Sequence, residues 1–165
     1  MSVPFVGYKA AGNCIIELEI DPQNALTNLD RDNVVDKYHA KFRCNKALIL
    51  KIYDKITGYE CDSICSDYNN NFIYKKGKVV EISNYDTNKN NVCAYGIHFF
   101  LTKEAAFFYN RSTTYNSPYE SWYDNGQPHV KCDTIINDRF EGQYESWHEN
   151  GQRSVKCNYK NGQLN

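Results

Sequence analysis

The chain has 165 residues, 19 basic and 20 acidic side chains, a formal net charge of −1 and a mean hydropathy of −0.70. That length suits one domain or two small ones with a real core. Balanced charge excludes the basic field that nucleic acid or an anionic membrane surface requires, and no apolar run approaches the roughly 20 residues of a transmembrane helix.

Residues 1–115 carry 14 basic and 13 acidic side chains, and residues 116–165 carry 5 and 7, so the balance runs from +1 to −2. The start, Met1-Ser2-Val3-Pro4-Phe5-Val6, has no charged leader and no long apolar stretch, so a signal peptide is not expected and the expected home is a cytosol. The seven cysteines, an odd number, then read as reduced thiols rather than a disulfide framework. Asn110-Arg111-Ser112 has the glycosylation pattern, which means nothing without secretion.

In chain order, Cys14–Ile20 alternates apolar and charged residues and predicts a half-buried strand, stopped by Asp21-Pro22. Residues 23–37 are polar and read as a loop or a short helix. Ala47–Tyr53 is a strong strand, and residues 54–71 an irregular loop. Phe72–Tyr74 and Lys78–Ile82 flank Lys76-Gly77 as a hairpin. Residues 83–91 are a second long polar loop. Cys93–Phe100 reads as a strand passing through Gly96. Thr102 is an N-cap for a short helix running to about Tyr109, with Ala105, Phe108 and Tyr109 on one face. Residues 1–112 therefore read as one α+β part dominated by strands. Residues 111–118 are a short polar connector.

The last third repeats itself. Tyr119-Glu120-Ser121-Trp122-Tyr123-Asp124-Asn125-Gly126-Gln127 recurs 25 residues on as Tyr144-Glu145-Ser146-Trp147-His148-Glu149-Asn150-Gly151-Gln152, and both copies end in Val-Lys-Cys, at Cys132 and Cys157. Ten of fourteen positions are identical. Self-similarity at a short period means stacked units that bury jointly what one hairpin leaves open. Each copy predicts strand, Asn-Gly turn, strand. Stacking is expected to pack Trp122 against Trp147 or their neighbours and to align Cys132 with Cys157. Tyr123 and His148, at the variable position, are expected to face outward.

Trp122-x-x-Asn125-Gly126-Gln127, Trp147-x-x-Asn150-Gly151-Gln152 and the following Tyr159–Leu164 resemble MORN-type repeats, which implies over 116–165 an antiparallel hairpin ribbon acting in protein interaction or dimerisation. The sometimes lipid-associated role of that family is not expected with a charge of −2. Gly7–Ala10, Ile16–Pro22, Phe42–Ala47, Tyr74–Val80 and Cys93–Phe100 together resemble an uncharacterised domain of bacterial, phage and giant-virus proteins. Asn (20) is abundant and Lys (14) outnumbers Arg (5), a skew that indicates an AT-rich coding genome. A mimivirus-like giant virus is the source these resemblances imply, with host cytoplasm or virion as the location.

Candidate chemistry is sparse. Gly96-Ile97-His98-Phe99-Phe100 with Ala105 and Tyr109 is similar to a segment of ADP-ribosyltransferases, which implies an NAD pocket with Tyr8 and Lys9 at its basic contact. The Ser-bearing strand of that family and its catalytic Glu have no counterpart here. Cys93 and His98 are a conceivable nucleophile and base, but with opposite strand parity. Cys61 and Cys65, with Cys44 and His39, lack the two close pairs of a zinc site. The expectation is thus an α+β, mostly β chain without cofactor or metal. It acts as a non-enzymatic interaction module through Tyr119, Trp122, Tyr123, Tyr144, Trp147 and His148, on a protein partner or a second copy. The rival is an NAD-using fold around His98, which requires Tyr8, Lys9, Cys93, His98 and Tyr109 to share a cleft.

Overall fold

The computed structural model describes residues 3–111 and 116–165. The expected connector and the acceptor Ser112 lie wholly or partly outside the described residues. The chain is strand-rich, its sheets are antiparallel, and one short helix occurs among the described residues.

Strand β1 (Phe5–Ala11) and strand β2 (Cys14–Ile20) form a hairpin in register from Phe5↔Ile20 to Ala11↔Cys14. No two-residue alternation foreshadows β1; its pairing with β2 creates it. Then follow β3 (Lys41–Cys44), β4 (Lys46–Asp54), β5 (Ser63–Cys65), β6 (Ile73–Lys75), β7 (Val79–Glu81), β8 (Ile97–Phe100) and the helix α1 (Lys103–Phe108). Six of these strands make one sheet in the order β3-β8-β1-β2-β4-β7. Residues 23–37 form no helix; the loop is tied down by a bridge from Thr27 to Cys44.

Because successive side chains in a strand alternate faces, the sheet has two cores. Ile16, Leu18, Ile20, Phe42, Ile49, Ile52, Ile97 and Phe99 fill one face. Ile15, Tyr53, Phe100, Ala105 and Ala106 fill the other, under α1. Thr102 caps α1 as expected, its Oγ1 accepting from the Ala105 N–H at 3.3 Å.

Two expectations fail for physical reasons. The hairpin at Lys76-Gly77 does not form, although the turn does. Strand β7 leaves to join the free edge of β4, through Gly77 N to Ile49 O at 2.8 Å and Ile49 N to Lys78 O at 2.9 Å, which buries Val80; β6 pairs with β5 instead. The strand expected over Cys93–Phe100 is extended only from Ile97. Gly96 lies where an added Cβ would sit 3.2 Å from the Arg43 Cβ, and the chain before it turns away.

Residues 117–164 form a five-stranded antiparallel sheet in the order β13-β12-β11-β10-β9: β9 (Ser117–Trp122), β10 (Pro128–Ile136), β11 (Arg139–Trp147), β12 (Arg153–Lys160) and β13 (Gln163–Leu164). Repeat positions fall into cross-strand rows. Glu120, Lys131, Glu145 and Lys156 make one row, with ion pairs at 3.4 Å (Lys131–Glu120) and 3.0 Å (Lys156–Glu145). Tyr119, Cys132, Tyr144 and Cys157 make the adjacent row on the opposite face. Tyr144 thus separates the two cysteines, and all seven thiols are free. Phe140 gathers Tyr119, Tyr144 and Tyr159 around itself at 4.8–6.4 Å between ring centroids.

The two Asn-Gly turns have the same geometry. In the first, Gly126 N donates to Tyr123 O at 2.9 Å and Tyr123 N to Gln127 O at 2.8 Å; in the second, Gly151 N donates to His148 O at 2.9 Å and His148 N to Gln152 O at 2.8 Å. Only the glycine takes a positive φ, 85° in both, as in a type I turn closed by a glycine bulge. Their surroundings differ. The first turn is docked on the first part: Asn125 O accepts from Val35 N at 2.9 Å, and Asp124 O accepts from Lys41 N at 3.0 Å. Trp122 stacks on His39 at 4.2 Å and meets Phe108 edge-on at 5.9 Å.

Trp122 is therefore spent on docking and does not pack on Trp147. Tyr123 does not face outward either: its hydroxyl donates to Trp147 O at 2.8 Å and its ring meets His129 at 4.5 Å. A tyrosine reaches across to the next copy where a shorter side chain would not. The histidine at the same position in the second copy, His148, is exposed.

The paired turns make docking testable. Alanine at either glycine is strained by the positive φ, at about 1–2 kcal/mol. At Gly126 the new Cβ would also fall 2.0 Å from Asp36 O, whereas at Gly151 its nearest neighbour is the Gln127 side chain at 3.3 Å. Gly126→Ala is expected to destabilise the chain by about 2 kcal/mol more than Gly151→Ala in urea unfolding. Equal losses would mean that the first turn is not held as described.

Candidate functional site

Strand parity splits the residues that the rival reading groups together. Tyr8 pairs with Phe100 and packs in the cluster under α1. Lys9, its neighbour, points to the other face. A cleft of about 700 Å³ opens beside it and adjoins a second, more enclosed hollow of about 240 Å³, its inner lobe. Lys9, Tyr68, Cys93, Ala94 and His98 line both lobes, and Tyr109 and Lys41 line the inner one. Four of the five candidates, Lys9, Cys93, His98 and Tyr109, thus share one cleft; Tyr8 does not.

The walls are loops. One is the segment after β5, with Tyr68 and Phe72; the other is the polar stretch leading into β8, with Asn84, Cys93 and Tyr95. The second wall is held from behind by Arg43, which is fully buried. Its guanidinium donates only to carbonyls: Asn91 O at 2.6 Å, Asn88 O, Asp86 O and, more weakly, Tyr95 O at 3.4 Å. A buried cation is tolerable when its donors are met, and four hydrogen bonds serve the five N–H groups here. Among the described residues no carboxylate is hydrogen-bonded to it, and its charge reaches His98 in the cleft.

Lys9 is 8 % exposed. Its ammonium has one long contact, to His98 O at 3.5 Å, and lies 5.5 Å from the centre of the Tyr74 ring. Burial pushes it down to about 8, with the Asp67 carboxylate opposing. Lys41 differs. Burial lowers it too, but the Asp124 carboxylate at 3.0 Å outweighs that and holds it above its ordinary value. Cys93 Sγ lies 3.4 Å from Lys41 Nζ and 3.4 Å from Asp124 Oδ2, so its cationic neighbour is Lys41 and not His98.

His98 is half-buried and its Nε2–H donates to Val92 O at 2.9 Å. Burial pushes its pKa down to about 4, and Lys9, Lys41 and Arg43 add to that push. At neutral pH the ring is uncharged, with Nδ1 as its free acceptor. Burial likewise raises Tyr109. No group of three or more potential metal ligands occurs among the described residues. The cleft brings together the cations Lys9 and Lys41, the carboxylates Asp67 and Glu81, the Cys93 thiol and aromatic rings. Lys41, Arg43, Asp67 and Tyr68 carry none of the site expectations drawn from the sequence. The one available signal is a charged pair, Lys41 and Arg43, inside an otherwise apolar run.

The repeat candidates are spread over the second sheet. Tyr119 and Tyr144 sit in its aromatic cluster, Trp122 and Tyr123 are engaged as above, Trp147 is half-buried and His148 exposed. Beyond Trp147, β12 pairs with β11 on one side. On the other, β13 covers only Tyr159 and Lys160, so Arg153–Cys157 is an open edge among the described residues.

A family model described as "Family of unknown function (DUF5758)" matches residues 2–106. No curated protein and no solved structure matches the chain.

The low pKa of His98 has a consequence for stability. Its folded value, about 4, lies below its ordinary 6.5. Between these values the unfolded chain binds a proton that the folded chain does not, so this contribution is present above pH 6.5 and is lost as pH falls to 4. His98→Gln keeps a donor for Val92 O and removes the titration. The wild type is expected to lose up to about 3 kcal/mol more than the variant across that window, measured by urea unfolding at a series of pH values. Parallel losses would show that His98 is not buried neutral.

Proposed function

We propose that this chain, which belongs to the DUF5758 family, is a non-catalytic interaction module whose C-terminal sheet is a MORN-type ribbon used as a binding arm. The observation that carries the reading is the unequal fate of two equal turns. The first Trp-x-x-Asn-Gly turn docks on the first part through Trp122, Asp124 and Asn125. The second has the same sequence pattern and hydrogen bonds but stands exposed at His148, Glu149 and Asn150. The docked copy supports the reading, because it offers two backbone carbonyls and a tryptophan face to a complementary loop of the same chain. The open edge of β12 lies beside the exposed copy and offers main-chain hydrogen bonds to a further strand. A second copy of this chain, meeting that edge with its own, is the partner of simplest symmetry. A giant-virus source, with host cytoplasm or virion as the location, is part of the same proposal.

Sedimentation velocity over roughly 1–100 µM tests this. The wild type is expected to associate with rising concentration. Trp147→Ala, and Val155→Pro on the open edge, are each expected to weaken association about tenfold. A wild type that stays monomeric throughout would sink self-association.

A second reading is favoured by one observation, the gathering of Lys9, Cys93, His98 and Tyr109 in one cleft. Under it the first part is a transferase-like, NAD-binding domain, active or degenerate. A ligand that binds only the folded state raises its apparent stability. NAD or ADP-ribose at roughly millimolar concentration is then expected to raise the melting temperature of the wild type and not of His98→Ala. No rise in the wild type would remove this reading.

A further inference from the structure

The cleft holds a group whose needs the protein itself leaves unmet. Lys9 is more than nine-tenths buried, lines both lobes, and forms no ion pair among the described residues. Its contact with His98 O, at 3.5 Å, is beyond the normal range of an N–H···O bond. A buried ammonium without a partner is costly, and what compensates it must come from the solvent side. Asp67, which shares the inner lobe, favours the charged form of Lys9 but forms no ion pair with it, and one of its oxygens accepts from the Gly12 N–H at 2.7 Å. Lys41 has its own carboxylate in Asp124, and Arg43 stands behind the cleft wall with its donors turned to loop carbonyls. Lys9 is thus the cation lining the cleft that has no carboxylate partner among the described residues.

The mouth has a different character. Tyr68 and Tyr95 line the outer lobe and are 80 % and 70 % exposed, with Phe72 and Tyr74 further in. Exposed large aromatics on the rim of a concave site are surfaces for planar rings. The volume, about 700 Å³, is that of a pocket for a small organic molecule.

We propose that this cleft binds a small molecule in which an anionic group, a carboxylate or a phosphate, is attached to a planar aromatic ring. The anion sits on Lys9 at the entrance to the inner lobe, and the ring lies against Tyr68 and Tyr95 in the outer one. A neutral His98, whose Nε2–H is taken by Val92, brings Nδ1 as an acceptor for a hydroxyl or amide of the ligand. The side chains that line the site all come from the first part, and Asp124 of the first repeat turn holds Lys41 beside them. It shares with the transferase reading the cleft and its Lys9 and His98, but it requires neither nicotinamide nor a reaction.

The experiment is isothermal titration of the full chain at neutral pH with three probes: 1-naphthyl phosphate, 1-naphthol and inorganic phosphate. The aromatic phosphate is expected to bind at least about tenfold more tightly than either fragment. Lys9→Met, which keeps the length of the side chain and removes the charge, is expected to lose about tenfold for 1-naphthyl phosphate and little for 1-naphthol. Tyr95→Ala removes an exposed ring and is expected to weaken both aromatic probes several-fold. Equal affinity of the wild type for 1-naphthyl phosphate and 1-naphthol would overturn the proposal. So would unchanged binding in a folded Lys9→Met, or no heat up to roughly 5 mM. If Lys9→Met does not fold, the three probes on the wild type together with Tyr95→Ala decide the matter. None of the probes contains nicotinamide, so binding of 1-naphthyl phosphate without a rise in melting temperature on NAD supports this proposal while removing the transferase reading.

Discussion

Arg43 is the interaction on which the rest of the first part depends. It sits on the short strand β3 with no exposed surface, and its guanidinium is satisfied by the carbonyls of Asp86, Asn88, Asn91 and Tyr95. Those residues belong to a long polar loop with little apolar surface of its own to bury. A loop of that kind has few reasons to hold one shape. The guanidinium supplies one, because each of its donors left unmet in the interior would cost about 1–3 kcal/mol, and the loop's carbonyls meet them together. Tyr85 covers the guanidinium at 4.7 Å, and Asn28 fixes the Arg43 backbone through its N–H at 2.8 Å. From that anchorage follow the position of Cys93 and Tyr95, the existence of the cleft wall, and part of the field that keeps His98 uncharged.

A second junction joins the two sheets. Asp124 accepts at its backbone carbonyl from Lys41 N and from Arg31, and at its carboxylate from the Lys41 ammonium and the Cys93 thiol. One residue of the first repeat turn thus neutralises a cation of the inner lobe. Removal of the turn would leave Lys41 buried and unpaired, a change felt in the cleft as well as in the arm. The arm and the cleft are for this reason physically contiguous, although their proposed ligands differ.

Much of the strand content is legible in the residues alone. Cys14–Ile20 alternates, Ala47–Tyr53 is apolar and branched, and Thr102 precedes good helix formers; each becomes the element its local chemistry implies. The failures share one cause. The turn at Lys76-Gly77 implies local pairing, whereas the edge of β4 competes for β7 and wins by burying Val80. Strand β1 has no pattern of its own and exists because β2 pairs with it. Tyr8 and Lys9 are adjacent in sequence, which suggests one shared site, and the alternation of a strand sends them to opposite faces.

By itself, then, the sequence determined what short-range chemistry controls: a strand-rich chain, the caps and turns, and a duplicated hairpin with two equal Asn-Gly turns. Only the tertiary structure decided which copy would dock and which would remain exposed. It also decided that Trp122 would stack on His39, and that Lys9 would be buried without a counter-charge beside aromatic rings. Such contacts join residues far apart in the chain: Lys41 and Cys93 are separated by 52 positions, Lys9 and His98 by 89. No period or local propensity encodes them, because they arise when separate elements compete for the same edge, the same face and the same buried charge.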